Sequence, residues 1–291
     1  MATRKQHRIL IAIDGSRPAQ AALETAVRFP WPSSSQCRGI VARNSWLFAS
    51  EEARSAVQES CKVAAFEAGM ALTRRWPKSE VVVVDGQAGE SILAEAEGFK
   101  ASTIVVGWRG HGTFRRLLAG SVSRRIAEDA ACPVLIVREA PVGVRRFVVG
   151  FDGCANAERA LDLLSSLELG RGVCAFLVNI VEPVIAPAAG RFPASIRAQI
   201  LGEVASMNEE KKRQGQALVD AGVARLQRVG WKAEGEIRVG APLASLLKAV
   251  AEHRGDVLVL GARGISGVER VLLGSVASGA LNNFPVVLLV R

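Results

Sequence analysis

The chain is poor in the residues that most often carry chemistry. It has only three histidines in 291 residues, His7, His111 and His253, too few and too scattered for a histidine metal cluster. Five cysteines (Cys37, Cys61, Cys132, Cys154 and Cys174) form no C-x-x-C pair and are odd in number. That pattern excludes a zinc ribbon and a disulfide framework, and leaves most of them as small apolar residues. No G-x4-G-K-(S/T) phosphate loop is present. No apolar run approaches the roughly 18 residues of a membrane span; Val134–Val137 and Val286–Val290 are typical. The basic start, Arg4 to Arg8, precedes only the short run Ile9–Ile13, which reads as a buried strand rather than a signal peptide. A soluble, cytoplasmic protein without a membrane partner is expected.

What is present is ordinary globular material, 49% hydrophobic and 22% charged, and the length suits two domains. The net charge of +9 is spread evenly. Residues 1–140 hold 19 Lys/Arg against 14 Asp/Glu, and residues 141–291 hold 18 against 14. Even spreading favours solvated faces over a nucleic-acid tail. The clusters Arg124-Arg125, Arg145-Arg146 and Lys211-Lys212-Arg213 lack an aromatic platform, so nucleic acid is not the expected partner.

The chain repeats itself. Ile9-Leu-Ile-Ala-Ile-Asp14-Gly15-Ser16 returns as Phe147-Val-Val-Gly-Phe-Asp152-Gly153-Cys154, 138 positions later. Ile104-Val-Val-Gly107-Trp-Arg109-Gly110 returns as Leu258-Val-Leu-Gly261-Ala-Arg263-Gly264, and Gly120-Ser121-Val122 as Gly274-Ser275-Val276, both at an offset of 154. The difference of 16 points to an insertion, which the Pro- and Ala-rich stretch 182–198 accommodates. Two tandem domains are therefore expected, 1–140 and 141–291.

Within each copy, short continuous apolar runs alternate with helical patterns, the signature of βαβ units and a parallel sheet covered on both faces. Predicted strands are Ile9–Ile13, Gly39–Ala42, Val81–Val84, Thr103–Val106 and Val134–Val137, then Phe147–Phe151, Val173–Ile180, Glu236–Val239, Val257–Leu260 and Val286–Val290. The expected fold class is α/β, two doubly wound Rossmann-like domains with five parallel strands each. The terminal runs of the two copies can pair with each other.

In such a sheet, ligands bind beyond the carboxyl ends of the strands where strand order reverses. Asp14-Gly15-Ser16 and Gly107-x-x-Gly110 flank one such crevice if the first and fourth strands are neighbours. Gly107 permits a sharp exit from its strand, and Gly110 lets backbone amides approach a phosphate. Gly120-Ser121 opens a helix whose free amides and dipole suit an anion. Gly261, Gly264, Gly274 and Ser275 repeat the arrangement. Arg109 and Arg263 are placed to neutralise phosphate. Arg116 and Arg270 read equally as exposed helical residues. Asp14 and Asp152 have two readings, as ligand-side carboxylates and as helix N-caps. His111 is replaced by Ile265 in the second copy, which argues against a shared catalytic base. Cys154 stands where the first copy has Ser16.

The pattern G-x2-G-x9-G-(S/T), carried by Gly107, Gly110, Gly120 and Ser121 and again by Gly261, Gly264, Gly274 and Ser275, resembles the universal stress protein family in its ATP-binding branch. The resemblance covers nearly the whole chain. It implies binding of ATP with Mg2+ or Mn2+, in a nucleotide-dependent stress-response protein; with no convincing general base and no repeated His or Glu beside the phosphate loop, hydrolysis is expected to be slow at most. It places ribose and phosphates at the glycines and Gly-Ser-Val (Val122, Val276), with Asp14 and Asp152 close by. Adenine would meet the end of the second strand, at Ile180 in the second copy and at Val41 or Ala42 in the first. It also implies dimerisation through the last strand, here within one chain, and leaves open a homodimer and a regulatory protein partner. Departures are Cys154 and the insertion, which would serve as a lid or an interaction surface. The alternatives are an enzyme using adenine nucleotide for adenylation or phosphoryl transfer, and an interaction module without nucleotide.

Overall fold

The computed structural model describes residues 6–44, 49–108, 121–186, 193–262 and 273–291. The first copy runs β1 (Arg8–Ile13), α1 (Arg17–Arg28), β2 (Gln36–Arg43), α2 (Glu51–Thr73), β3 (Glu80–Asp85), α3 (Ala88–Gly98), β4 (Thr103–Gly107), α4 (Ser121–Asp129) and β5 (Val134–Val137). The second repeats it as β6 (Arg146–Gly150), α5 (Ala155–Ser166), β7 (Cys174–Val181), α6 (Ala194–Arg228), β8 (Lys232–Val239), α7 (Pro242–Glu252), β9 (Val257–Gly261), α8 (Ser275–Asn283) and β10 (Val286–Val290). All ten expected strands form. The edge strand β8 begins four residues before the expected Glu236, because ladder pairing with β7 carries it over polar residues.

The strands join one ten-stranded sheet, ordered β3-β2-β1-β4-β5-β10-β9-β6-β7-β8. Every neighbouring pair is parallel except β5 and β10, which run antiparallel with Val134 opposite Leu289 and Val137 opposite Val286. The two five-stranded sheets are thus fused through their last strands. All nine residues of β5 and β10 are buried. Each fully buried aliphatic side chain stabilises by about 1.5–3 kcal/mol, so separating the domains would be costly. A string of rings reinforces the seam. Phe29 stacks on Trp31 with centroids 4.2 Å apart, and meets Phe147 edge-on at 5.6 Å. Phe147 meets Trp231 at 5.4 Å.

Alternate residues of the strands face two cores, as period-2 geometry requires. Ile9 and Ile11 belong to one core that also takes in Ala22 of α1, Leu72 of α2, Leu161 of α5 and Leu226 of α6. Leu10 belongs to the core on the other face, which takes in Ile92 of α3, Ile126 of α4, Leu246 of α7 and Leu281 of α8. This is the doubly wound arrangement in both copies. β1 lies between β2 and β4, and β6 between β7 and β9, so strand order reverses twice.

The additional residues of the second copy mostly lengthen a helix. α6 has 35 residues where α2 has 23. Gly215 and Gly222 lie against the sheet, where an added Cβ would come within 2.6 Å of Asn179 and Leu177 side chains respectively, so glycine sets how closely α6 approaches. The preceding segment is tied to the helix: Val184 donates its amide to Asn208 Oδ1 (2.7 Å), and Asn208 Nδ2 donates to the Val184 carbonyl (3.1 Å).

Candidate functional site

The turn after β1 is built by its own three residues. Gly15 has φ +72°, a left-handed conformation that glycine adopts without a steric cost. This turns the chain so that the Ser16 amide donates to Asp14 Oδ1 at 2.9 Å. Ser16, not Asp14, is the N-cap of α1, its side chain accepting from the Ala19 amide at 3.4 Å. The second copy repeats the geometry, with Gly153 at φ +75° and the Cys154 amide on Asp152 Oδ1 at 3.0 Å. Cys154 takes the cap position of α5, its thiol beside the first-turn amides of Asn156 and Ala157. The N-cap reading of Asp14 and Asp152 is therefore corrected: each holds the loop ahead of the cap. Burial, then the neighbouring Asp152 carboxylate, pushes the Cys154 thiol above its ordinary value.

Gly107 ends β4 for a reason different from a sharp exit. A Cβ there would lie 2.4 Å from the Pro18 carbonyl carbon and 2.6 Å from the Ala19 amide nitrogen. The missing side chain lets the first turn of α1 press against the end of β4. Ser123 Oγ donates to the Gly107 carbonyl and ties α4 to the same point. In the second copy position 277 is alanine, without that tie; there the Gly274 amide donates to the Ala262 carbonyl at 3.0 Å.

A cleft opens at each reversal of strand order. The first is lined by Asp14, Ser16, Gly107, Ser121 and Val122 from the sequence-derived set, the second by Asp152, Ile180, Gly261, Gly274, Ser275 and Val276. Gly15 and Gly153 shape the turns alongside. Arg109, Gly110, Gly120, Arg263 and Gly264, with His111, Arg116, Ile265 and Arg270, lie outside the described residues. The cleft volumes are about 140 Å3 and 360 Å3.

Several lining residues carry no signal in the glycine pattern. Ala88 and Ile92 of α3 and Pro242 and Leu246 of α7 form one wall, with Ala12 and Val106, or Gly150 and Leu260, as the floor. A repeat at the 154 offset marks this wall: Gly86 and Ser91 return as Gly240 and Ser245. Both glycines have φ +146° and start their helices beside the second strand of each copy. The strand ladder also decides between Val41 and Ala42. Cys37 pairs with Ile9 as Ala175 pairs with Phe147, so the counterpart of Ile180 is Ala42, which lines the first cleft.

The clefts differ at their outer ends. Arg43 closes on Asp85 with both guanidinium bonds (2.7 and 2.6 Å), and that contact holds the Asp85 carboxyl below its ordinary range. The second cleft instead has Glu182 in its lining. Among the described residues no group of three or more His, Cys, Asp or Glu is arranged to hold a metal, and no helix is long and apolar enough to cross a membrane. The basic clusters engage local partners: Lys212 pairs with Glu209, Arg213 with Glu210, Arg124 with Glu128, and Arg125 with Glu90 and Asp129.

Comparisons with known proteins agree with this geometry. A Thermus aquaticus protein named universal stress protein in QAH/OAS sulfhydrylase 3'region is 42% identical over 62 residues, which is 21% of this chain and 45% of that relative's length. Universal stress protein YxiE of Bacillus subtilis is 29% identical over 153 residues, 45% of this chain and 99% of that protein. Among solved structures, a universal stress protein from Archaeoglobus fulgidus covers 99% of both chains with a TM-score of 0.70 at 19% identity, a likeness of fold. The universal stress protein family description matches residues 6–138 and again 143–291. With nearly its whole length matched in two copies, the chain belongs to the universal stress protein family.

Proposed function

We propose that each cleft binds an adenine nucleotide, ATP with Mg2+ or Mn2+, and that the protein acts in stress response through nucleotide occupancy. The observation that carries this reading is the position-by-position equivalence of the clefts. Asp14 and Asp152, Gly107 and Gly261, Ser121 and Ser275, Val122 and Val276, Ala42 and Ile180, and Ile92 and Leu246 occupy corresponding places at offsets of 138 or 154. An apolar floor and wall suit a base, and the first turn of α4 or α8 offers amides without intrahelical acceptors to an anion. Gly274 caps α8 without a side-chain bond, which keeps those amides available. A divalent ion would take most of its ligands from phosphate oxygens and water, with Asp14 or Asp152 within the same cleft.

Hydrolysis is expected to be slow at most. The carboxylates Asp14 and Asp152 each commit Oδ1 to a backbone amide, which orients them as loop supports more than as bases for water. Titration of ATP into nucleotide-stripped protein tests the reading, with heat of binding expected at two sites per chain. Absence of binding at millimolar ATP would refute it. A screen for AMP formation with candidate acceptors separates it from an adenylating enzyme.

A further inference from the structure

We propose that Arg138 and Arg291 are positioning residues, each clamping the cleft-lining helix of the opposite domain, so that each cleft depends on an arginine from the other copy. The proposal deepens the binding reading above and rests on it for its effect on affinity.

The antiparallel pairing of β5 and β10 creates the arrangement. Each strand's end lies against the start of its partner; the Arg138 amide donates to the Pro285 carbonyl at 2.8 Å. The helix that precedes each strand is therefore within reach of the arginine that follows the other. Arg138 Nη2 donates to the Leu281 carbonyl in the last turn of α8 at 2.6 Å. Arg291 Nη2 donates to the Ala127 and Glu128 carbonyls in the last turn of α4. These carbonyls belong to the last four of their helices, which lack intrahelical donors. A guanidinium there also faces the negative end of the helix dipole. Neither α4 nor α8 has a basic residue in its own last turn, so the cation comes from across the seam.

Both helices have nine residues, about 13.5 Å at 1.5 Å per residue. Helices this short are marginal alone and depend on tertiary anchors. Their opposite ends carry Ser121 and Val122, or Ser275 and Val276, into the clefts. Fixing the last turn pre-organises the first, where an anion would meet the free amides, and preorganisation is what a binding site gains from such support. At their cleft ends α4 is also tied through Ser123 Oγ to the Gly107 carbonyl, and the cap of α8 through the Gly274 amide to the Ala262 carbonyl.

The test uses the full chain with Arg291→Met, Arg138→Met and the charge-retaining Arg291→Lys, read by hydrogen exchange of peptides covering α4 and α8, with and without ATP. Arg291→Met is expected to speed exchange in α4 and leave α8 unchanged; Arg138→Met should do the reverse. The ATP concentration that half-protects the affected helix should rise about 3- to 10-fold, and Arg291→Lys should recover most of the loss at α4. Exchange that stays unchanged in the clamped helix, or rises equally in both helices, would overturn the proposal and leave the arginines as general supports of the seam. Failure of ATP to protect either helix in the unaltered protein would remove the binding reading instead, while helix-specific exchange in the variants would still uphold the clamp.

Discussion

Gly107→Ala is the smallest change that probes the first cleft, and its effect follows from the packing of a single added carbon. The new Cβ would lie 2.4, 2.5 and 2.6 Å from the Pro18 carbonyl carbon, the Pro18 oxygen and the Ala19 amide nitrogen. All three are backbone atoms in the first turn of α1, so no side-chain rotation relieves the contact. Either β4 or the start of α1 must move by about an ångström. Overpacking of this kind typically costs 1–3 kcal/mol, and rigid neighbours place it near the upper end, about 3 kcal/mol. At about 2–4 °C per kcal/mol for a domain of this size, melting should fall by about 6–12 °C. The shift also carries Ser16 away from Gly107, so ATP affinity should drop at the first cleft and hold at the second. Gly202→Ala supplies the opposite sign. Gly202 lies within α6, and an added Cβ there would meet nothing within 4 Å; replacing glycine in a helix gains about 0.5–1 kcal/mol. Differential scanning calorimetry of both variants, with ATP titration of the first, checks the account. A Gly107→Ala protein that melts and binds like the parent would refute the close-approach argument.

Three further outcomes follow from individual contacts. Cys154→Ser should stabilise the second domain by about 0.5–1 kcal/mol by exchanging the weak sulfur acceptor at the cap of α5 for the hydroxyl that caps α1, whereas Ser16→Ala should cost about 0.5–2 kcal/mol; thermal melts of the two variants should move in opposite directions. His7 is buried at the seam, 2.9 Å from Ser166 Oγ, and burial lowers its pKa from 6.5. The unfolded chain therefore takes up the proton first, so the His7 contribution is complete above about pH 6.5 and is lost as the pH falls toward the lowered folded value. Unfolding free energy between pH 7 and 5, followed by denaturant melts, should decline less steeply in His7→Gln, by at most about 1.4 kcal/mol per pH unit; identical slopes would exclude this histidine as the source. Burial pushes the Cys37 thiol up to about 12 and the Cys132 thiol up to about 11, so a thiolate-directed reagent at pH 8 should leave both unmodified in the native protein and label all five cysteines in denaturant. Rapid native labelling of Cys37, followed by peptide mass analysis, would contradict the burial of that residue.

Much of this protein is written in local sequence chemistry. Continuous β-branched runs report strands covered on both faces, because only such strands have no solvent side to mark with polar residues. Asp-Gly before a helix reports the turn after β1 and β6, because glycine supplies the left-handed step and the carboxylate reaches the amide two residues on. The same chemistry recurring at offsets of 138 and 154 is what exposes two domains and two equivalent candidate loops. Tertiary structure decided what depends on residues meeting across the sheet. Ladder register, not spacing, chose Ala42 over Val41. The walls from α3 and α7 were hidden because Ile92 and Leu246 look like any buried helical residue until a crossover sets them above the strand ends. Gly107 reads alone as a turn, and only the approach of α1 gives it its purpose. Arg138 and Arg291 look like solvated strand ends; the antiparallel junction turns each toward a helix more than 140 residues away in the chain, with separations of 143 and 164. Propensity acts over a few neighbours, whereas these contacts exist only once strand order has been fixed.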